Sequence, residues 1–203
     1  MDLNVLQHRL NARPTRSHSE WDSRAPGDQT QVPVIDAPRP AAVLVPLYLD
    51  QGEWHLLLTQ RTDTVSTHKG QVAFPGGRVD PDDRDAVHTA LREAEEEIGL
   101  DPSGVEVLGF LDDLVKVTRY RVTPVVARIG WPVPLRLSHD ELSAVFGVPV
   151  HWLADPAHRL TEYREPPVPG PRIEVIHWPY NGFDIWGASA RMILNLLDVW
   201  TRA

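Results

Sequence analysis

The stretch from Gly76 to Leu100, GGRVDPDDRDAVHTALREAEEEIGL, restricts the fold of this chain more than any other. Its two adjacent glycines let the backbone turn sharply or approach a ligand closely. The residues that follow, roughly Asp85 to Gly99, read as a helix. At about 100° per residue, with Glu93 set at 0°, Glu96 falls at about 300° and Glu97 at about 40°. Three carboxylates therefore share one face. Val87, Leu91, Ala94 and Ile98 fall between about 100° and 160°, an apolar stripe suited to packing on a sheet. Glutamates so placed repel one another unless a positive charge lies among them, and hard oxygen donors at this spacing suit Mg²⁺ or Mn²⁺.

The remainder reads as one α/β or α+β domain behind a short arm. Leu3, Leu6 and Leu10 lie at helical spacing, and a proline-rich irregular stretch follows, so residues 1–36 are assigned to an N-terminal helix and arm and 37–203 to the domain. AAVLVPLYL and WHLLLTQR form a hairpin through Asp50-Gln51-Gly52-Glu53, VEVLGFLDDL and RVTPVVARIGW are strands, and HDELSAVFGV starts as a helix capped by Ser138 or Asp140. RIEVIHWPYNG and FDIWG make a second hairpin turning at Asn181-Gly182, and ASARMILNLLDVW closes the chain as a helix.

Composition narrows the function. A net charge of −8 argues against a broad nucleic-acid footprint. With no cysteine there is no thiol nucleophile, disulfide or thiolate zinc site. No apolar run approaches the roughly 20 residues of a membrane span, and the first residues lack a signal-peptide pattern, so a cytoplasmic protein without membrane or nucleic-acid partners is expected. Trp131, Trp152, Trp178 and Trp200 are candidates for the interface of a homodimer, against a competing place in the core, and Trp186 is assigned to the core.

Gly76-Gly77 followed by Arg92-Glu93-Ala94-Glu95-Glu96-Glu97-Ile98-Gly99-Leu100 resembles the Nudix box, G-x5-E-x7-R-E-U-x-E-E-x-G-U, with U an aliphatic residue. The second half matches throughout, with Ala94 as U. In the first half the usual Glu is Asp83, and eight residues rather than seven separate it from Arg92. The resemblance implies an αβα sandwich around a mixed β-sheet and hydrolysis of a diphosphate bond in a nucleoside diphosphate derivative. It further implies that Glu93, Glu96 and Glu97, with the Gly76 carbonyl, hold Mg²⁺ or Mn²⁺ and that Arg92 orients a glutamate. Glu97, Glu96 and the distant Glu141 stand as candidates for the general base.

Leu57-Leu58-Thr59-Gln60-Arg61-Thr62 and Gly70-Gln71-Val72-Ala73-Phe74-Pro75-Gly76-Gly77 are similar to the extension of the coenzyme A pyrophosphatase group of Nudix enzymes. Asp140-Glu141, Pro149 and Ile185-Trp186-Gly187-Ala188-Ser189-Ala190-Arg191 resemble further segments of that group, so the likeness spans about residues 40 to 203. Thr62 replaces a Ser, and Ser66 stands where several members carry Arg. The implied substrate is coenzyme A or a thioester of it, with adenosine 3′,5′-bisphosphate and 4′-phosphopantetheine as products. Arg61, His68, Lys69 and Arg78, beside Gly76 and Gly77, are the candidates to bind it; Lys69 is one of just two lysines. The competing readings are a Nudix hydrolase of ADP-ribose, NADH or a nucleoside triphosphate, and a Nudix module that binds a nucleotide without cleaving it.

Overall fold

The computed structural model describes residues 2–12, 38–62, 70–115, 120–165 and 172–201. Strands β1 (Arg39–Asp50) and β2 (Glu53–Arg61) form the first hairpin, with Asp50 opposite Glu53. Its two-residue turn, Gln51-Gly52, has positive φ at both positions, 47° and 85°, the geometry that suits the right-handed twist of paired strands. Six more strands complete the main sheet: β3 (Val72–Ala73), β4 (Gly76–Arg78), β5 (Val105–Phe110), β6 (Leu114–Val115), β7 (Tyr120–Ile129) and β8 (Leu142–Pro149). They run in the order β3-β2-β1-β7-β5, with β4 also on β1, β6 on β7 and β8 on β2. The β1–β7 pair is parallel and the other pairs are antiparallel, which makes the sheet mixed.

Side chains of β1 feed both faces of this sheet, as the two-residue period of a strand requires. Ala42, Leu44 and Tyr48 pack with Ala90, Ala94 and Ile98 of helix α2 (Ala86–Ile98), whereas Ala41, Val45 and Leu47 pack with Leu6 and Leu10 of α1 (Leu3–Ala12). A long C-terminal helix, numbered α4 after a short α3 (Val150–Ala154), covers that second face too: α4 (Gly187–Thr201) contributes Ile193 and Leu196. Helices on both faces of a mixed sheet give the expected αβα sandwich. Arg9 of α1 donates to the carbonyls of Val199 and Trp200, and the Trp200 indole donates to the Asp2 carbonyl. The first helix is thereby fastened to the last. The rest of the arm lies outside the described residues.

A second, three-stranded antiparallel sheet holds β9 (Leu160–Arg164), β10 (Ile173–Tyr180) and β11 (Phe183–Trp186) in the order β11-β10-β9. The β10–β11 hairpin turns at Asn181-Gly182 with φ of 49° and 86°, as the Asn-Gly pair predicts.

Two sequence readings need correction, those of residues 142–149 and of Trp186, while Trp178 and Trp200 take the core place that competes with an interface. Residues 142–149 are strand β8 rather than a helix. Ser138 is no cap: its carbonyl accepts from the amides of Glu141 and Leu142 in a tight turn, and Val145, Phe146 and Val148 then pair with β2. The Asp-Glu at its start mimics a first helical turn, but the β-branched and aromatic residues after it, with Gly147 and Pro149, favour an edge strand. Trp178 and Trp200, 1% and 4% exposed, belong to the core and offer nothing to an interface. Trp186 is only partly buried, its ring stacked on His177 with the Arg164 guanidinium 5.2 Å from its centre. No helix among the described residues is long and apolar enough to cross a membrane.

Candidate active site

Helix α2 starts where Asp85 accepts a hydrogen bond from the His88 amide, and it stops at Gly99, whose φ of 67° and bonds back to Ala94 and Glu95 form a left-handed cap. Its buried side is centred closer to the carboxylates than the stripe of Val87, Leu91, Ala94 and Ile98 predicts. Ala90, Ala94 and Ile98 are fully buried, Val87 and Leu91 only partly, and Glu97 lies on the buried side at 5% exposure. The three glutamates thus form a gradient across the helix: side-chain exposure is 7% for Glu97, 17% for Glu93 and 60% for Glu96.

The positive charge that such a face needs comes from two arginines. Arg92 Nη1 sits 3.2 Å from Glu93 Oε1 and 3.3 Å from Glu96 Oε2, between the two carboxylates. The rest of its guanidinium is fixed from behind: Nε donates to Asp83 Oδ1 at 3.1 Å, and Nη2 donates to Asp83 Oδ2 at 2.9 Å and to the Arg78 carbonyl at 3.0 Å. Asp83, with a side chain 1% exposed, also accepts from the Thr89 hydroxyl and the Asp80 amide. The Arg92 hydrogen bond is the main reason that the Asp83 carboxyl titrates well below the usual carboxylate range. Family spacing by itself assigns Asp83 no part, because its loop is one residue longer and its side chain one methylene shorter than the family pattern. The turn at Asp80–Asp83 takes up the extra residue and still delivers a bidentate carboxylate to Arg92.

Arg61 provides the second guanidinium, from the end of β2. The register of β2 against β8 shifts between Gln60 and Arg61, leaving Ser143 of β8 as the extra residue, while Arg61 stays on the face of β2 that carries Leu57 and packs toward α2. Arg61 Nη1 lies 3.7 Å from Glu97 Oε1, and Nη2 lies 3.7 Å from Glu141 Oε2. Glu141, distant in sequence, is brought to the site because the Thr62 amide donates to the Glu141 carbonyl at 2.8 Å.

Gly76 and Gly77 form the floor. Strand β4 pairs with β1, placing Gly76 opposite Val43 and Gly77 opposite Ala42. The Gly76 amide donates to Glu97 Oε2 at 3.1 Å. Gly76 has a φ of 151°, and a Cβ there would stand 2.5 Å from the Val43 Cα and against the Ala42 carbonyl. A Cβ on Gly77 would instead stand 2.5 Å from Glu93 Cδ, so the absence of a side chain is what leaves room for that carboxylate. Burial pushes the Glu97 carboxyl from its ordinary 4.5 to about 7, against the opposing Gly76 amide and Arg61. Burial also raises Glu93, with Arg92 opposing.

The structure therefore gathers Arg61, Gly76, Gly77, Arg92, Glu93, Glu96 and Glu97 in one place, brings the distant candidate Glu141 to Arg61, and adds Asp83. Arg78 contributes its carbonyl to Arg92, while its guanidinium lies over the Tyr120 ring, 5.4 Å from the centre. His68 and Lys69 lie outside the described residues, as does Ser66. Among the described residues no three acidic or imidazole side chains converge as a ready-made cation cluster. Two observations nevertheless fit a divalent cation. Glu97 is a buried carboxylate whose single cationic neighbour among the described residues stands off at 3.7 Å, and Gly77 keeps open the space beside Glu93. A cleft of about 500 Å³ on the outer face of the second sheet, lined by Leu160, Glu162, His177 and Asp184, contains none of the expected site residues.

The NUDIX domain model matches residues 38–169. The protein named Uncharacterized Nudix hydrolase NudL from Escherichia coli (strain K12) is 45% identical over 161 residues, 78% of this chain and 81% of that protein. Its namesake from Shigella boydii serotype 18 is 44% identical over the same shares. A MutT/nudix family protein from Enterococcus faecalis shares the fold with a TM-score of 0.50 at 18% identity, over 97% of this chain and 73% of that one. The chain belongs to the Nudix family. It is a Nudix hydrolase, an enzyme of a family that works with divalent cations on phosphoanhydrides.

Proposed function

We propose that this enzyme hydrolyses the diphosphate bond of coenzyme A or its thioesters, with Mg²⁺ or Mn²⁺, to adenosine 3′,5′-bisphosphate and (acyl-)4′-phosphopantetheine. The observation that carries the reading is the meeting of two sequence signatures. Arg61, from the Leu57–Thr62 stretch typical of the coenzyme A group, reaches Glu97 of the box helix, and Gly76 at the end of the second stretch donates to the same carboxylate.

Glu93, Glu96 and Glu97 are the side chains to hold the cation, with the Gly76 carbonyl as a further donor. When bound, it supplies Lewis-acid polarisation of the diphosphate and acidifies the attacking water. The protein's own groups do the rest. Asp83 fixes Arg92, and Arg92 holds Glu93 and Glu96 in orientation through charge-assisted hydrogen bonds. The water's oxygen bonds to one phosphorus as the bridging P–O bond breaks. Glu96, Glu97 and Glu141 are the carboxylates available to take its proton, and Arg61 carries a planar fork of donors matched to phosphate oxygens. The acidic chain needs cationic partners for the substrate's 3′-phosphate. Lys69, His68 and Arg78 flank the glycine turn in sequence and are proposed for that role, with Arg78 also held over Tyr120.

The test incubates purified protein and Mg²⁺ or Mn²⁺ with coenzyme A, acetyl-coenzyme A, ADP-ribose, NADH and dATP, and resolves the products by chromatography. The two coenzyme A fragments, formed at a higher kcat/KM than products from the other compounds, are expected. Preference for ADP-ribose, NADH or dATP would overturn the substrate but keep the family chemistry; cleavage of none would favour a nucleotide-binding module.

A further inference from the structure

Arg61 and Arg92 face the same carboxylates but are held in different ways. The Arg92 guanidinium makes hydrogen bonds of 2.9 to 3.3 Å to Asp83, the Arg78 carbonyl and Glu96, and it is locked by them. Arg61 is held by charge alone. Its contacts to Glu97 and Glu141 are both 3.7 Å, too long to count as hydrogen bonds, and its buried Nε has no hydrogen-bond partner. A guanidinium left this unsatisfied gains by moving to a ligand that offers oxygens in fork geometry. Strand alternation puts Arg61 on the same face of β2 as Leu57, the face that α2 covers, and Ser143, bonded to the Gln60 side chain and to the Arg61 carbonyl, ties down the backbone beneath it.

We propose that Arg61 is an exchangeable counterion: it neutralises Glu97 while no cation is bound, and it transfers to the diphosphate of the substrate when a divalent cation takes Glu97, with Glu141, whose backbone is tied to Thr62, as the neighbouring charge that keeps it in reach. This rests on the reading of Glu97 as a cation ligand. Its consequence is a coupling between two binding events. Cation and guanidinium compete for Glu97, so the cation alone binds against Arg61. A diphosphate removes that competitor, so each ligand strengthens the other by the same factor. Glu141 acts through Arg61 and is a positioning residue in this scheme.

The test is a Mn²⁺ titration of chelator-treated protein, read by electron paramagnetic resonance of free Mn²⁺, with and without α,β-methylene-ADP as an uncleavable diphosphate. In the parent protein the analogue should tighten Mn²⁺ about tenfold, inside the usual range of coupling between sites. Arg61→Gln should bind Mn²⁺ alone several-fold more tightly than the parent, and the analogue should then tighten it by a clearly smaller factor than in the parent, leaving only the part owed to the cation's own attraction for the diphosphate. Glu141→Gln should weaken Mn²⁺ in the parent background but leave it unchanged in the Arg61→Gln background, because residues that act through one another are not additive. Unchanged or weaker Mn²⁺ binding in Arg61→Gln, full coupling in that variant, or an equal Glu141→Gln effect in both backgrounds would each overturn the proposal. Glu97→Gln separates the two failures. If it binds Mn²⁺ like the parent, the ligand reading falls; if it loses Mn²⁺ while Arg61→Gln behaves like the parent, only the exchange falls.

Discussion

Replacing each glycine of the turn by alanine should produce two different defects from neighbouring positions. At Gly76 the obstacle is backbone. The new Cβ would stand 2.5 Å from Val43 Cα, and φ is 151°, a conformation that residues with a side chain rarely take. Backbone strain of about 1–3 kcal/mol and overpacking of about 1–3 kcal/mol add to about 2–6 kcal/mol. For a domain of this size that lowers Tm by roughly 5–20 °C. At Gly77 the obstacle is the Glu93 carboxylate, 2.5 Å from the new Cβ at Cδ and free to rotate away. Gly77→Ala should therefore keep stability within about 1 kcal/mol of the parent. It displaces a proposed cation ligand, however, and should lower kcat/KM about 100-fold. Thermal melts with chelator present and turnover with saturating Mn²⁺ read the two effects separately. A Gly77→Ala protein with parental kcat/KM, or one that melts as early as Gly76→Ala, would refute the reading that a movable carboxylate is the obstacle at Gly77 and the backbone the obstacle at Gly76.

Other outcomes follow from the same geometry. Asp83→Asn removes the carboxylate that fixes Arg92 and should cost about 2–4 kcal/mol and about tenfold in turnover. Asp83 titrates far below its unfolded value, so its stabilisation is complete above about pH 4 and is lost as the pH falls through the folded value; the gap between variant and parent in pH-dependent melts should close only in acid. Glu97 shows the opposite sign. With a folded value of about 7 against 4.5, the metal-free parent loses up to about 3 kcal/mol as pH rises through that window. In chelator, Glu97→Gln should therefore match the parent near pH 4.5 and melt higher at pH 8, and equal melts at both pH values would contradict the burial argument. Lys69→Ala should weaken coenzyme A more than dephospho-coenzyme A if it meets the 3′-phosphate, and equal losses in KM would remove that role.

Much of the site is legible in the sequence because one helix carries it. Helical periodicity places Glu93, Glu96 and Glu97 together, and Asp85 and Gly99 mark the ends of α2 within a residue. What periodicity misses is the tertiary surroundings. It treats the three carboxylates as equal, whereas the sheet covers Glu97 and leaves Glu96 in water. Asp83 acquires its role from a turn whose extra residue obscures the family spacing. Glu141 reaches the site only because residues 142–149 form β8 beside β2, and that segment's local pattern imitates the start of a helix. The short strand β9, fully exposed along its length, carries no alternating pattern to reveal it.

Under the proposed function the carboxylates of α2 serve cleavage of the coenzyme A diphosphate. Its most direct test measures coenzyme A turnover and melting for the parent and for Glu97→Gln side by side, with identified products. The parent should yield adenosine 3′,5′-bisphosphate and 4′-phosphopantetheine, and the variant should lose at least about 100-fold in kcat while still folding, with no loss of Tm at neutral pH. Parental turnover in a folded Glu97→Gln protein would contradict it.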